Sequence, residues 1–282
     1  MRKITAVEGM KAAAGEIKAQ GRALGFVPTM GYLHEGHLSL VRESLKRAAA
    51  TVVSIFVNPL QFGPQEDLRR YPRDPARDEA LLEEAGVDIL FHPGDLEMYP
   101  DGFRTTVEVS GLQDKLCGRS RPGHFKGVTT VVLKLFNIVR PDYAFFGQKD
   151  AQQATILRRM VDDLNLDVRV EVLPIVREPD GLAMSSRNIY LNPEERRAAL
   201  VLFRSLEKAR AMSAGGEKAA GPIREEIVRL IGSETLARMD YVEIVDPPSL
   251  EPVERIEGDT LVAVAVFIGK TRLIDNTILE WK

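Results

Sequence analysis

Strand-like and helix-like segments alternate along residues 1–175, and this alternation constrains the fold more than any other feature of the sequence. Short runs rich in β-branched and aromatic residues are followed by longer stretches with apolar residues at helical spacing. Strands are predicted at 24–28, 51–57, 87–91, 143–146 and 168–173, and helices at 38–50, 75–85, 126–139 and 150–164. This order predicts an α/β fold, with a mostly parallel sheet covered by helices.

The pattern changes beyond about Pro174. Helix-like stretches at 193–211 and 221–231 come first, and strand-like runs at 241–245, 260–267 and 273–279 follow with chain reversals between them. This order predicts a smaller α+β domain with an antiparallel sheet. We therefore expect two domains, 1–175 and 176–282, joined by a polar loop at 175–188 that is suited to act as a lid.

Composition excludes several classes of protein. The chain has 282 residues, a net charge of -3 and a pI near 5.9, so it has no basic field suited to nucleic acid or anionic lipid. We expect neither nucleic acid nor a membrane as a partner. The single Cys117 excludes an intrachain disulfide framework and a multi-cysteine zinc site. No signal-like segment opens the sequence and no apolar run could cross a bilayer, so we expect a cytoplasmic protein.

The tetrad His34-Glu35-Gly36-His37 is the best indication of function. It lies where the strand at 24–28 passes, through the turn Thr29-Met30-Gly31, into the helix at 38–50. The first amides of a helix have no intrahelical acceptor, and the helix dipole adds positive charge there, so this end favours phosphate. The two histidines are three apart and share a face, and Gly36 lets a ligand approach the backbone. The alternative is that both histidines only cap the helix or pack against it.

Two further segments carry groups suited to phosphate. After the strand at 143–146, Lys149 could neutralise phosphate, and Asp150 could approach magnesium or cap the next helix. Ser185, Ser186 and Arg187 offer two hydroxyl donors and a guanidinium fork, which suit a triphosphate. For Lys149 the alternative is a solvated side chain, and the tripeptide alone is a weak signal.

Three uncharged amides, Asn58, Gln61 and Gln153, lie near strand ends or in the first turn of a helix. Ligands of parallel sheets collect at the carboxyl ends of the strands, and amides can bind the carboxylate and hydroxyl groups of a small substrate there. Each of the three could equally be a surface amide.

Taken in chain order, these motifs resemble the pantothenate synthetases. The match covers nearly the whole chain. A single H-x-G-H tetrad is shared by many nucleotidylyl transferases, but the full set is highly specific. The matching segments are Phe26 to Gly31, His34 to His37, Ser54 to Pro59 with Gln61 and Phe62, Arg121 to Phe125, Gly147 to Gln153, and Met184 to Asn188.

The resemblance implies a Rossmann-type domain of the H-x-G-H nucleotidylyl transferase superfamily, a C-terminal lid domain and a homodimer. It also implies the condensation of (R)-pantoate with β-alanine, with ATP and magnesium. Pyrophosphate would leave first, giving a pantoyl adenylate, and AMP would leave when the amide forms.

The resemblance also assigns roles to individual residues, according to their positions in the matching motifs. His37 is the expected proton donor, and His34 and Lys149 are expected to join it in catalysis. Gln61 and Gln153 would hold pantoate, Gln61 would also lie near β-alanine, and Asp150 is a candidate magnesium ligand, while Arg121 and His124 would support the site. The ATP site would comprise Met30, Gly31, Tyr32, Leu33, His34, Glu35, Gly36, His37, Gly147, Gln148, Lys149, Asp150, Val176, Met184, Ser185, Ser186 and Arg187.

Two features depart from common patterns. Gln148 stands where many relatives have Glu, which could alter the electrostatics of the metal or the loop. The segment Met184 to Asn188 lacks the second lysine of the superfamily's K-M-S-K-S loop, and Arg187 takes its place, as is normal for this family.

Three alternative functions remain open at this point. A phosphopantetheine-type adenylylyl transferase would share the tetrad but would use a phosphate acceptor and has less use for a second domain. A tRNA-charging synthetase is disfavoured by the acidic balance and by the lack of a basic RNA-binding extension. The third is a noncatalytic nucleotide-binding module.

Overall fold

A parallel sheet occupies the centre of the N-terminal part of the chain. The computed structural model describes residues 1–64 and 66–280. The strands of this sheet are β1 (Arg2–Ile4), β2 (Leu24–Thr29), β3 (Ala50–Ile55), β4 (Ile89–Phe91), β5 (Tyr143–Gly147) and β6 (Arg169–Leu173). They lie in the order β1-β4-β3-β2-β5-β6, and each neighbouring pair is parallel. The predicted α/β class with a mostly parallel sheet is therefore confirmed.

Helices cover both faces of this sheet. They are α1 (Val7–Ala19), α2 (Glu35–Arg47), α3 (Pro75–Glu84), α4 (Asp95–Met98), α5 (Leu116–Ser120), α6 (His124–Val139) and α7 (Ala151–Asp163). Phe26 and Phe91 pack with α1, α6 and α7, whereas their neighbours Val27 and Leu90 pack with α2 and α3 in a separate cluster. Because successive strand residues face opposite sides, the two clusters form one layer of core on each face. Within the described ranges, no helix combines the length and apolar character needed to span a membrane.

The C-terminal part has the predicted α+β composition. Helices α8 (Pro193–Ala198), α9 (Leu200–Ala214) and α10 (Ala220–Gly232) precede an antiparallel sheet of β7 (Ala237–Val245), β8 (Thr260–Ile268) and β9 (Thr271–Leu279). Most of its buried residues form their own cluster. Val245, Leu250, Leu261 and Ala263 pack instead into the core of the N-terminal part. The two parts therefore share an apolar contact. The last two residues of the predicted domain 176–282 lie outside the described residues.

Several element boundaries differ from the predicted ones. Strand β1 and helix α1 were not predicted, because β1 has three residues and two of the four buried residues of α1 are alanine, which gives a weak apolar signal. The helix predicted at 38–50 begins at Glu35 and ends at Arg47, since Ala50 already pairs in β3. The helix predicted at 193–211 is two helices, α8 and α9, that meet at Ala199.

Helix α6 approaches the turn after β3 very closely at Gly127. A Cβ at this position would lie 2.2 Å from the carbonyl oxygen of Leu60 and 2.6 Å from the backbone nitrogen of Gln61. The backbone carbonyl of Gly127 also accepts a hydrogen bond from Asn58 Nδ2, at 3.0 Å. The glycine therefore lets the helix hold the turn that carries Asn58 and Gln61.

We expect Gly127→Ala to destabilise the protein by about 1–3 kcal/mol, because the added methyl group must displace backbone rather than a flexible side chain. Gly15→Ala is the matched control, since Gly15 lies within α1 and a Cβ there meets nothing within 4 Å. That control should stabilise the protein by up to about 1 kcal/mol through helix propensity. Urea unfolding of both variants measures the difference, and equal effects would show that the close approach at Gly127 costs nothing.

Candidate active site

Most of the predicted site residues line one cavity. The cavity has a volume of about 220 Å³ and lies at the carboxyl ends of β2 and β5, beside the start of α2. Ligands of parallel sheets bind at this edge. The predicted residues in its wall are Met30, His34, Gly36, His37, Gln61, Gly147, Lys149, Asp150, Gln153, Val176, Met184, Ser185, Ser186 and Arg187.

His34 and His37 cap the first turn of α2 reciprocally. Nδ1 of His34 accepts from the backbone N–H of Gly36 at 3.1 Å, and Nδ1 of His37 accepts from the backbone N–H of His34 at 3.3 Å. The ring centroids lie 4.1 Å apart. Because Nδ1 of each ring accepts, the proton of each neutral ring resides on Nε2, which can donate to a ligand. Capping and ligand binding are thus compatible, since they use different nitrogens.

Both rings are neutral near pH 7. Burial and the Lys149 ammonium lower the pKa of His34 from 6.5 to about 4. Burial, followed by the neighbouring His34 and Lys149, holds the pKa of His37 well below its usual value. The pair can therefore donate two hydrogen bonds to an anion without adding net charge.

Lys149 and Asp150 follow β5 at the same cavity. Nζ of Lys149 lies 3.5 Å from Oδ2 of Asp150, and the Lys149 side chain is 21% exposed, so the solvated alternative does not describe it. The Asp150 side chain makes no capping hydrogen bond to α7, so the capping alternative for this residue is wrong.

The serine–arginine loop is held in place by partners from a distant segment. The Arg187 guanidinium forms a bidentate pair with Asp67, with both N–O distances 2.9 Å, and lies 5.7 Å from the centre of the Tyr71 ring. Burial alone would raise the pKa of Asp67, but the hydrogen bonds and charge of Arg187 outweigh burial and lower it. Ser186 Oγ donates to the carbonyl of Tyr32 at 3.3 Å, which joins this loop to the turn before α2.

The amides Asn58 and Gln61 are buried and connected. Asn58 Nδ2 donates to Gln61 Oε1 at 3.1 Å, and Gln61 Nε2 lies 3.0 Å from the sulfur of Met30. The surface-amide alternative is therefore wrong for both, since their exposed fractions are 1% and 9%. Gln153 is half-buried and lines the same cavity.

Arg121 and His124 support Gln61 through its backbone. One ring nitrogen of His124, Nδ1, lies 2.8 Å from the carbonyl oxygen of Gln61, and Arg121 Nη1 lies 3.0 Å from the other. Arg121 also forms a bidentate pair with Glu66, at 2.8 and 2.6 Å. Burial and Arg121 lower the pKa of His124 to about 4, so its ring is neutral as well.

The remaining predicted ATP residues lie outside the cavity wall. Gly31 and Tyr32 line a neighbouring cavity of about 350 Å³. Leu33 is buried in the core, and Glu35 forms an ion pair with Arg42 on the surface of α2. The Gln148 side chain donates to Asn276 on β9.

Sequence reasoning missed the apolar wall of the cavity. Val128, Val131, Val132 and Leu135 of α6 line it, and their spacing is that of any helix face packed on a core. Tyr71 was also missed, because the segment before α3 has no strand or helix signal. The sequence did hold one signal for this wall. The apolar residues of α6 follow directly on the Arg121 to Phe125 motif, and this position could have indicated that they line the site.

A second cavity, of about 410 Å³, adjoins the first. Both cavities are lined by Arg121, His124, Lys149, Asp150, Gln153, Ser185 and Arg187. The second is lined in addition by β9 residues and by Cys117, so it lies between the parallel and antiparallel sheets. The site is thus built from both parts of the chain.

A magnesium ion fits this site only in company with phosphate. Among residues 1–64 and 66–280, no group of three or more histidine, cysteine or acidic side chains is placed to hold a metal. Among the described residues that line this cavity, Asp150 is the only one with a carboxylate. Such a donor set is typical of magnesium that arrives bound to a nucleotide and keeps several waters.

The fold and the site define a class of protein. A parallel sheet whose carboxyl edge carries two histidines at a helix start, a lysine turn and a serine–arginine loop is typical of ATP-using enzymes of the H-x-G-H nucleotidylyl transferase class. A family model described as pantoate-beta-alanine ligase matches residues 2–278. The chain belongs to this family.

Individual relatives agree with this assignment. The chain is 59% identical over 273 residues to a pantothenate synthetase of Pelotomaculum thermopropionicum, covering 97% of each chain. A pantothenate synthetase structure from Thermus thermophilus matches with a TM-score of 0.95 and 46% identity, over 100% of both chains. A pantoate-beta-alanine ligase from Francisella tularensis, complexed with beta-gamma ATP and beta-alanine, matches with a TM-score of 0.83 and 32% identity, over 100% of this chain and 99% of that one.

The lowered histidine pKa values predict a loss of stability in mild acid. The pKa of His34 is about 4 in the folded protein and 6.5 ordinarily, so the unfolded chain binds more protons between these values. The free energy of unfolding should therefore fall as pH decreases from about 6.5 toward 4, by at most about 1.4 kcal/mol per pH unit for each such histidine.

Urea unfolding at about pH 7.5 and about pH 5 measures the decrease in the free energy of unfolding. This decrease should be smaller in His34→Gln than in the wild-type protein. Carboxylates paired in the folded state act mainly below their unfolded pKa of about 4, so they do not mimic the effect in this window. An unchanged pH dependence in His34→Gln would mean that the pKa of His34 in the folded protein lies near its ordinary value of 6.5.

Proposed function

We propose that this protein condenses (R)-pantoate with β-alanine at the expense of ATP, through a pantoyl adenylate, and releases pyrophosphate and AMP. The observation that carries the proposal is one cavity that brings two neutral histidines and two cations together with the amides Gln61 and Gln153. Membership of the pantoate–β-alanine ligase family supports it, as does the relative described as complexed with beta-gamma ATP and beta-alanine.

The first step brings two anions together. A carboxylate oxygen of pantoate attacks the α-phosphorus of ATP, the bond to the bridging oxygen breaks, and pyrophosphate leaves with the electron pair. The site must reduce the repulsion and stabilise the charge that develops on the phosphoryl oxygens. The amides of α2, Nε2–H of His34 and His37, and the ammonium of Lys149 supply donors and positive charge for this.

The second step needs a dry site. The neutral amine of β-alanine attacks the acyl carbon of the adenylate, the bond from that carbon to the oxygen of AMP breaks, and AMP leaves with the electron pair while the amine nitrogen loses a proton. Water would hydrolyse the same mixed anhydride. The apolar stripe of α6 and the buried turn that carries Gln61 limit the water next to the acyl group.

The site divides into three regions in this proposal. His34, His37 and Lys149 act in catalysis, with His37 as the proton donor by family motif. Gln61 and Gln153 hold pantoate, with Gln61 also near β-alanine. The nucleotide occupies the sides formed by the start of α2, by residues 147–150, and by the segment from Val176 to Arg187. Magnesium would accompany ATP, and Asp150 would be its protein ligand.

The wider organisation is proposed on the same basis. We propose two domains, 1–175 and 176–282, the second acting as a lid, and a homodimer in the cytoplasm. The separate apolar core of the C-terminal part supports the division. Gel filtration with light scattering tests the dimer.

We expect ATP and pantoate alone to support the exchange of labelled pyrophosphate into ATP, because adenylation needs no amine. β-Alanine should be required only for the release of AMP. Omission of pantoate is the control and should abolish exchange. A strict requirement for β-alanine would contradict the adenylate, and exchange without pantoate would favour a nucleotide-binding or nucleotidyl-transfer function.

We expect Gln153→Ala and Gln61→Ala to lower kcat/KM for pantoate by roughly 10-fold or more, because loss of the amide leaves the substrate's polar groups unpaired in the pocket. Binding of an ATP analogue should change little. Calorimetric titration of each ligand against each variant gives the test. If the affinity for the ATP analogue collapses while pantoate binding stays intact, these amides belong to the nucleotide side.

A further inference from the structure

Asn276, on the last strand of the C-terminal part, binds the turn that carries Lys149. Its Nδ2 donates to the backbone carbonyls of Gln148 and Lys149 at 2.9 and 3.0 Å. Its Oδ1 accepts from Nε2 of Gln148 at 3.1 Å. Asn276 is 3% exposed, so these bonds form away from water, where an unpaired polar group is costly. A single side chain therefore satisfies two carbonyls and one amide of the 148–149 segment.

The neighbouring Asp275 holds Asn276 in place. Its carboxylate accepts from the backbone N–H of Asn276 at 2.8 Å and forms a bidentate pair with Arg177 at 2.7 and 3.0 Å. Arg177 precedes the serine–arginine loop and bridges to Ala183 across a short antiparallel pair. Asp275 is 2% exposed. Strand β9 is thus attached to both segments that bring cations to the cavity.

We propose that Asn276 is a positioning residue that acts through Lys149. This rests on the proposed adenylation, in which the Lys149 ammonium stabilises developing charge. By fixing both carbonyls of the turn, Asn276 sets where the Lys149 backbone lies relative to the start of α2. A displacement of about 1 Å in a catalytic group can lower a rate by about 100-fold. Loss of the Asn276 contacts would therefore slow the reaction if it displaced Lys149.

The position of Gln148 fits this role. Its side chain does not reach the cavity wall but pairs with Asn276, and the two amides are complementary because one donates while the other accepts. A glutamate at 148 would present oxygen to the oxygen of Asn276. Rotation of the Asn276 amide would relieve that repulsion only by withdrawing Nδ2 from the two carbonyls.

The competing explanation is that Asn276 only stabilises the contact between the two parts of the chain. A double-mutant cycle distinguishes this explanation from the positioning role. Pyrophosphate exchange with ATP and pantoate is measured for Asn276→Ala, Lys149→Ala and the double variant. We expect Asn276→Ala to lower the exchange rate by about 10-fold or more when Lys149 is present, and by less than about 2-fold when it is absent. The affinity for pantoate alone should not change.

Thr277→Val is the matched control. Thr277 is equally buried at 3% exposure, but its hydroxyl pairs with Arg210 rather than with the lysine turn. Its loss should leave exchange unchanged even where the melting temperature falls. If Asn276→Ala does not fold, Gln148→Leu is the second variant, because it removes only the bond from the half-buried Gln148 side chain to Asn276. We expect it to lower the exchange rate by less than Asn276→Ala does. In the Lys149→Ala background it should have no effect.

Equal fractional losses in the two backgrounds would overturn the positioning role, as would an unchanged exchange rate in folded Asn276→Ala. These outcomes are distinct from a failure of the proposed function. If the wild-type protein shows no exchange with ATP and pantoate, adenylation itself is refuted.

Discussion

The reciprocal capping of α2 by His34 and His37 is the interaction on which the site depends. It fixes both rings and leaves Nε2–H of each as the donor available to a ligand. The turn before it has its own anchor, because the buried Asp78 accepts from the backbone N–H of Tyr32 and Leu33 at 2.7 and 2.8 Å. Tyr32 has a φ of 50°, a left-handed conformation that these bonds stabilise. The strand end, turn and helix start thus form one rigid unit.

Both histidines are neutral because this unit buries their rings, and neutral rings suit a site that binds an anion. Two imidazolium rings 4.1 Å apart, near Lys149, would repel one another in a poorly hydrated site. Neutral rings can donate hydrogen bonds to an anion without that repulsion. Positive charge is left to Lys149 and Arg187, which approach from other segments. Arg187 is already paired with Asp67, so a triphosphate must compete with that carboxylate or share the guanidinium with it.

The sequence predicted the features that depend on residues close together in the chain. It did not predict the contacts made by residues far apart in the chain. The parallel sheet, the antiparallel C-terminal sheet and the H-x-G-H helix start each depend on residues close in sequence, and periodicity exposes them. Asp67, Tyr71 and Asn276 contact the site from segments with no motif of their own. Asp67 lies 120 residues from Arg187 in chain order, and Asn276 lies 127 residues from Lys149. The apolar wall on α6 has the spacing of an ordinary core. Only three-dimensional packing distinguishes these residues.

The contacts of β9 limit how the C-terminal part can move. Rotation of this part as a whole would break the bonds of Asn276 to the lysine turn and the buried pair of Asp275 with Arg177. It would also separate apolar residues shared between the two cores. Each buried polar group left unpaired costs about 1–3 kcal/mol, so a large rotation is opposed by several such terms together. If the C-terminal part acts as the proposed lid, these contacts restrict its closure to small displacements about β9. Closure of that kind would keep the Asn276 contacts to the lysine turn, and with them the position of the Lys149 backbone.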